Sequence, residues 1–203
     1  MRRQSKTVTV RGVAIGGGSR VTVQSMTNTD TADRDATLAQ IRALERCGCD
    51  IVRFTVNSAA AVANIPYFLE HTPLPLVADI HFDYKLAIDA AEAGISKIRI
   101  NPGNIGDDDR VRAVARTCAR LGVPVRVGVN GGSLEKQIAA KYGAPTAEAL
   151  AESALENIRR LERFGFDELV VSVKSSDVKL MIEANRLIAA ACPYPLHLGV
   201  TEA

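Results

Sequence analysis

The amino-acid sequence predicts an α/β fold: a (β/α)8 barrel of the TIM type, truncated after its seventh strand and preceded by an N-terminal β-hairpin. Three features predict it. A unit recurs in which a glycine leads into a short β-branched run, at residues 48–54, 94–100, 122–127 and 165–171. Helix-periodic stretches lie between these runs, and strand–helix alternation builds a parallel sheet. Several strands are also polar on one face near their ends, whereas parallel strands covered on both faces are apolar throughout. The hairpin is assigned to residues 1–24 and the incomplete barrel to residues 21–203. A doubly wound sheet is the alternative.

In chain order, TVTVRGVAIGGGSRVTVQSM (residues 7–26) alternates in the strand manner around Gly16, Gly17 and Gly18, which predicts a hairpin turn at the triplet. A phosphate-binding glycine loop is disfavoured because no helix start follows it. Residues 21–24 are the first barrel strand. Leu38, Ile41, Leu44 and Cys47 then line one helix face, and residues 51–54 and 75–79 are the next two strands. Strand 97–100 is followed by a helix that opens on Asp107, Asp108 and Asp109, where the macrodipole favours acids. Val111, Val114, Cys118 and Leu121 share that helix's apolar face. Strand 125–129 leads into an extra segment, residues 132–138, before a helix marked by Leu155, Ile158 and Leu161. Strand 169–173 is followed by a helix with Val178, Met181 and Ile182 inward, and residues 196–200 are the seventh strand. Gly48, Gly94, Gly122 and Gly165 suit the left-handed position that ends a helix.

Composition bounds the function. Of 203 residues, 47% are hydrophobic, 24% charged and 4% aromatic, with a net charge of +2. The basic residues are scattered and aromatics are few, so no nucleic-acid footprint is spelled. No apolar run approaches the roughly 20 residues of a membrane span. The N-terminus carries Arg2 and Arg3 but no apolar stretch of a secretory signal, and both arginines are expected in a solvated tail. The four cysteines, Cys47, Cys49, Cys118 and Cys192, contain no C-x-x-C pair. They read as buried structural thiols of a reducing compartment, the cytoplasm, and no metal site is predicted from them.

The chemistry lies at the strand ends. Side chains alternate along a strand, so Lys97, Arg99 and Asn101 share one face, as do Arg126, Gly128 and Asn130, and Val170, Ser172 and Lys174. The apolar faces belong against helices, which turns the polar faces into the barrel near its C-terminal mouth, where barrel enzymes bind substrates. Arg53, Arg99, Arg126 and Lys174 converge there, and Asp79 and Glu202 balance only two of them. Desolvating the rest unpaired costs several kcal/mol per ion. An anionic ligand with several oxygens is therefore expected, since guanidinium forks match phosphate bidentately. Loops 101–104 and 130–133 add backbone N–H groups ahead of helix starts. An internal ion-pair network is the competing reading. His81, two residues after Asp79, faces the same mouth, whereas His71 and His197 are expected to be structural.

The motifs VQSMTNTDT (23–31), ADIHFDYKLA (78–87), KIRINPGNIG (97–106), PVRVGVNGGSLE (124–135), VSVKSSDVKLMI (171–182) and PLHLGVTEA (195–203) resemble the 4-hydroxy-3-methylbut-2-enyl diphosphate synthase family across essentially the whole chain. The resemblance implies a role in non-mevalonate isoprenoid synthesis: reductive opening of 2-C-methyl-D-erythritol 2,4-cyclodiphosphate and loss of a hydroxyl. Two electrons would come from ferredoxin or flavodoxin through a [4Fe-4S] cluster, in an enzyme that is a homodimer at full length. Carried over by motif, Arg53, Arg99, Asn101, Arg126, Asn130 and Lys174 would grip the diphosphate. Asp79 and His81 would line the pocket, and Glu202 would be the acid that helps the hydroxyl leave. The family continues past the TEA segment into the rest of the barrel and a cluster-bearing domain. The resemblance therefore implies that the cluster ligands lie outside this chain and that the chain alone is inactive. A binding-only barrel of the dihydropteroate-synthase kind, holding a phosphorylated ligand, is the alternative.

Overall fold

A computed structural model describes residues 3–200. Its elements are β1 (Thr7–Val10), β2 (Val13–Gly16), β3 (Gln24–Met26), α1 (Arg34–Arg46), β4 (Ile51–Thr55), α2 (Ala59–Ala63), α3 (Ile65–His71), β5 (Leu76–Asp79), α4 (Tyr84–Glu92), β6 (Lys97–Ile100), α5 (Asp108–Leu121), β7 (Val125–Asn130), a 3-10 turn (Gly131–Ser133), α6 (Lys136–Tyr142), α7 (Ala147–Glu162), β8 (Leu169–Lys174) and α8 (Val178–Ala191). Helix starts are set by side-chain caps: Asp33, Ser58, Asp83, Asp107, Thr146 and Asp177 each accept from a first-turn N–H. Gly48, Gly94, Gly122 and Gly165 all take positive φ just past α1, α4, α5 and α7, as their spacing predicts.

The six strands β3 to β8 form one parallel sheet in sequence order, each beside the next. This is the stave order of a (β/α)8 barrel, left open among the described residues. The expected seventh strand is a single parallel bridge, Val171 to Leu196. Pro195 O accepts from the Val171 N–H at 3.0 Å, and the His197 N–H donates to Val171 O at 2.7 Å. The first barrel strand also lies later than expected, at Gln24–Met26 rather than residues 21–24. There the Asp50 carboxylate pairs with Arg20 and takes the Val23 N–H at 2.7 Å, a side chain standing in for a strand partner, while Val23 O accepts from the Asp50 N–H at 2.8 Å. The Arg20 contact, with the Val23 N–H, holds the Asp50 carboxyl below its usual range.

The hairpin exists, but its turn is not the glycine triplet. β1 pairs antiparallel with β2 around Arg11 and Gly12, both at positive φ, the two-residue turn that matches strand twist. Gly16 and Gly17 instead mark a close approach: a Cβ at Gly16 would meet Lys6 O at 2.3 Å, and one at Gly17 would meet Thr7 Oγ1 at 1.8 Å. Val8 and Val10, with Ile15 behind them, pack on Val170 and so close the N-terminal end of the barrel. Arginines rivet the hairpin in place. Arg11 donates to the carbonyls of Leu69, Thr72 and Leu74. Arg3 is not solvated as expected: it donates to Ala189 O at 3.0 Å and to the carbonyls of Cys192 and Tyr194, satisfying acceptors at and beyond the end of α8. Arg2 lies outside the described residues.

The core lies between sheet and helices. Ile98, Ile100, Val125, Val127, Val129, Leu169, Val171 and Val173 point outward onto the buried faces of α5 (Val111, Val114, Cys118) and α7 (Ile158, Leu161). One helix is rotated from its expected setting. In α8 the buried residues are Ala184, Asn185 and Ile188, while Val178 and Ile182 are exposed. A polar residue is tolerated on the buried face because the Asn185 amide donates to Val173 O at 3.2 Å and Met181 O at 2.8 Å. The thiols divide. Cys118 and Cys192 are buried as expected, but Cys49 is half-buried and Cys47 exposed, since Cys47 sits at the α1 C-cap beyond the helix's inward stripe. Burial pushes the Cys118 thiol up to about 12. His71 stacks on Tyr67 at 4.0 Å and bonds its carbonyl at 2.7 Å, a structural role.

Candidate functional site

Register brings the inward side chains together. β5 sets Asp79 beside Arg99 of β6, and β6 sets Arg99 beside Arg126 of β7, so the three lie in one row. Further along the strands, Gly128 stands beside Ser172 and Asn130 beside Lys174. On the other side Met26 stands beside Arg53. A cavity of about 260 Å3 opens over these rows. Of the nine residues expected there, seven line it: Arg53, Asp79, His81, Arg99, Arg126, Asn130 and Lys174. Asn101 is buried behind it, its Oδ1 accepting from the Gly103 N–H at 3.0 Å. Glu202 lies outside the described residues. Met26, Val129 and Ser172 also line the cavity. Ser172 could have been found by strand parity with Lys174; apolar Met26 and Val129 carry no such signal.

The charges do not balance. Asp79, 3% exposed, accepts from Arg99 Nη1 at 3.0 Å and pairs with Arg53 Nη1 at 3.4 Å; His81 Nε2 stands 3.8 Å away. Among the described residues it is the one carboxylate lining the cavity, against the cations Arg53, Arg99, Arg126 and Lys174. Arg53 also reaches Met26 Sδ at 2.9 Å, and Arg99 reaches Gly128 O at 3.4 Å. Gly128 is needed for that reach, because a Cβ there would stand 2.3 Å from Arg99 Nε. Arg126 is 0% exposed, and none of its three guanidinium nitrogens has a hydrogen-bond partner among the described residues. Burial, then Arg53 and Arg99, brings its pKa down to about 9. Burial, then Arg126, brings Lys174 down to about 8.

One layer deeper, Lys97 is fully buried with Gln24 Oε1 at 3.4 Å, and burial followed by Arg126 brings its pKa down to about 7. His197, from the seventh stave, is pushed far below its usual range by burial and then by Arg126, Lys97, Lys174 and Arg53. Its charged form is disfavoured among these cations. This assembly can do one thing plainly: lower the free energy of a polyanion whose oxygens accept from several guanidinium and ammonium donors at once.

Residues 5–203 match the GcpE TIM-barrel domain family. The chain belongs to that family. Curated relatives named 4-hydroxy-3-methylbut-2-en-1-yl diphosphate synthase (flavodoxin) include those of Fusobacterium nucleatum, 51% identical over 203 residues, and Clostridium perfringens, 50% over 202. That of Histophilus somni is 54% identical over 202. Each match covers 100% of this chain and 57%, 58% and 55% of the respective relative, so the chain spans little more than half their length. Among solved structures, a dihydropteroate synthase from Stenotrophomonas maltophilia aligns with a TM-score of 0.70 at 17% identity, over 96% of this chain and 77% of that one. A type I 3-dehydroquinate dehydratase from Clostridium difficile aligns at 0.71 and 13%, over 97% and 81%. At such identities the likeness shows the barrel fold alone.

Among the described residues no group of three His, Cys, Asp or Glu side chains could hold a metal ion. The cysteines are dispersed over the α1 end, α5 and the end of α8. They do not fit a [4Fe-4S] cluster, which takes convergent thiolates. No helix among the described residues is long and apolar enough to cross a membrane.

Proposed function

We propose that this chain is the substrate-binding barrel of an enzyme that reductively opens 2-C-methyl-D-erythritol 2,4-cyclodiphosphate to 4-hydroxy-3-methylbut-2-enyl diphosphate. The observation that carries the reading is Arg126, fully buried beneath a cavity and without a hydrogen-bond partner among the described residues. A guanidinium left so is costly unless a ligand completes it. Arg126, Arg53, Arg99 and Lys174 would grip the diphosphate through its inner phosphate, with Asp79 orienting the Arg53 and Arg99 forks. Asn101 and Asn130 would steady the loops that offer backbone N–H groups, and His81 would border the mouth. Glu202 would supply the proton that lets the hydroxyl leave as water.

The relatives' names support flavodoxin as the donor of the two electrons. A [4Fe-4S] cluster would relay them, held by sequence in the part of the relatives that this chain does not span, in a homodimeric cytoplasmic enzyme. The chain's own contribution is binding, orientation and electrostatics.

Calorimetric titration of the chain with the cyclodiphosphate tests this. Binding should weaken as salt rises, and Arg53→Ala, Arg99→Ala and Arg126→Ala should each cost about 1.5–3 kcal/mol, the range for hydrogen bonds to charged groups. Unchanged affinity in all three variants would refute the reading.

A further inference from the structure

α7 carries a buried polar stripe that the anion cavity does not use. Ser153, Asn157 and Arg160 are spaced four and three residues apart, so they share one helix face. Ser153 is 0% and Asn157 3% exposed, and the Arg160 side chain is 16% exposed. Burying hydroxyl, amide and guanidinium groups is unfavourable unless each finds a partner, and here the partners belong to two loops. Arg160 donates from Nε to Asp108 Oδ1 at 2.6 Å, from Nη1 to Pro102 O at 2.7 Å and from Nη2 to Gly106 O at 2.7 Å. Two of these bonds fall on the β6–α5 connection and the third on the first residue of α5. Ser153 Oγ donates to Glu135 Oε2 at 2.6 Å, and Asn157 Nδ2 to Glu135 Oε1 at 2.7 Å. Glu135 belongs to the β7–α6 connection. Its carboxylate also lies hard against the first loop, since a Cβ on Gly103 would stand 2.6 Å from Oε1. The two connections are thereby locked to one helix and to each other.

The first connection begins at Asn101, directly after β6, and the second follows Asn130, the last residue of β7, which lines the cationic cavity. The cleft behind them, about 850 Å3, is no anion site of its own: it mixes Lys136, Arg159, Arg160 and Arg163 with Asp108, Glu135 and Glu156.

We propose that Arg160, together with Ser153 and Asn157 acting through Glu135, forms a set of positioning residues that fixes the β6–α5 and β7–α6 loops where their N–H groups receive the second phosphate of a diphosphate ligand. The proposal deepens the function proposed above and rests on it. The inward arginines and Lys174 take one phosphate, and the loops decide whether a second adds affinity. Arg160 touches no ligand; a planar fork that holds two carbonyls and a carboxylate at once is a task lysine cannot reproduce.

The test is the affinity of the chain for pyrophosphate and for orthophosphate, with hydrogen exchange of residues 101–107 and 131–135. Global destabilisation lowers both affinities alike, whereas misplaced loops lower their ratio. Arg160→Ala should weaken pyrophosphate by about tenfold and leave orthophosphate within about twofold, since displacement by about 1 Å is enough to lose such oriented contacts. Exchange in both loops should rise while the sheet amides stay protected. Arg163→Ala, at an exposed neighbour 3.5 Å from Asp108, should behave as the parent. Should Arg160→Ala fold poorly, Arg160→Lys reads the same ratio and should fall between the two. A ratio unchanged in an Arg160 variant whose loops exchange faster would overturn the positioning role. If the parent does not prefer pyrophosphate, or Arg126→Ala binds it as the parent does, the anion site itself is wrong and the proposal falls with it. That failure shows in those two proteins rather than in the Arg160 variants.

Discussion

Arg53, Arg99, Arg126 and Lys174 could be placed on one mouth from sequence because a charge on a barrel strand has two directions to face, and the apolar neighbours claim the helix side. Asp79 and His81 followed by the same parity. Gly128 was not legible as a site residue, since its part is the absence of a Cβ beside Arg99. Lys97 was read as a member of the polar face, but its depth was not legible: it sits one layer below the cavity, fully buried, with Gln24 as its hydrogen-bond partner. Its folded pKa, about 7, lies below the ordinary 10.5. Between those values the unfolded chain binds the proton more tightly, so the cost of burying this lysine is full below about pH 7 and fades as pH rises toward 10.5. Lys97→Met should therefore stabilise the ligand-free chain by roughly 3–5 kcal/mol at pH 7 and by roughly 2–3 kcal/mol less at pH 9.5. Denaturant unfolding of both proteins at the two pH values checks this; a gain that does not change with pH would show that Lys97 is not charged at the expense of the fold.

Elements were legible where one signal sufficed. The glycines past α1, α4, α5 and α7 announced helix ends because no other residue takes that backbone conformation as cheaply. Two settings were misread because two signals competed. The glycine triplet outweighed Arg11-Gly12 as a turn, although only the latter leaves β1 and β2 in register. In α8, Val178 and Ile182 outweighed Asn185, yet backbone carbonyls at Val173 and Met181 accept the Asn185 amide and let the smaller, partly polar face turn inward. The rotation has a direct check. Ile188→Ala should cost about 2–4 kcal/mol through loss of buried volume, while Ile182→Asp, at a position 41% exposed, should stay within about 1 kcal/mol. The reverse order in urea unfolding would restore the setting read from the sequence.

Over the whole molecule, stave order follows chain order; alternation made the parallel sheet legible, and the polar strand ends favoured a barrel over a doubly wound sheet. The pairing of the last stave was not, because hydrogen bonds between strands depend on neighbours that sequence does not state. A cavity of about 430 Å3 separates β3 from the Leu196 stave, bordered by Val21, Leu196, His197 and Leu198. Across this open sheet, helices and the hairpin close the outside and one end, and the excess positive charge is concentrated at the other end. On the function proposed above, the molecule gives up stability at its site to gain affinity there. The most direct measurement is therefore a paired one on Arg126→Met: thermal unfolding of the ligand-free chain and its affinity for the cyclodiphosphate. Removing a buried guanidinium that has no hydrogen-bond partner among the described residues should stabilise the fold by about 1–4 kcal/mol, raising Tm by several degrees, while affinity falls by at least about tenfold. A lower Tm with affinity intact would make Arg126 a structural residue and contradict the assignment of this cavity to an anion.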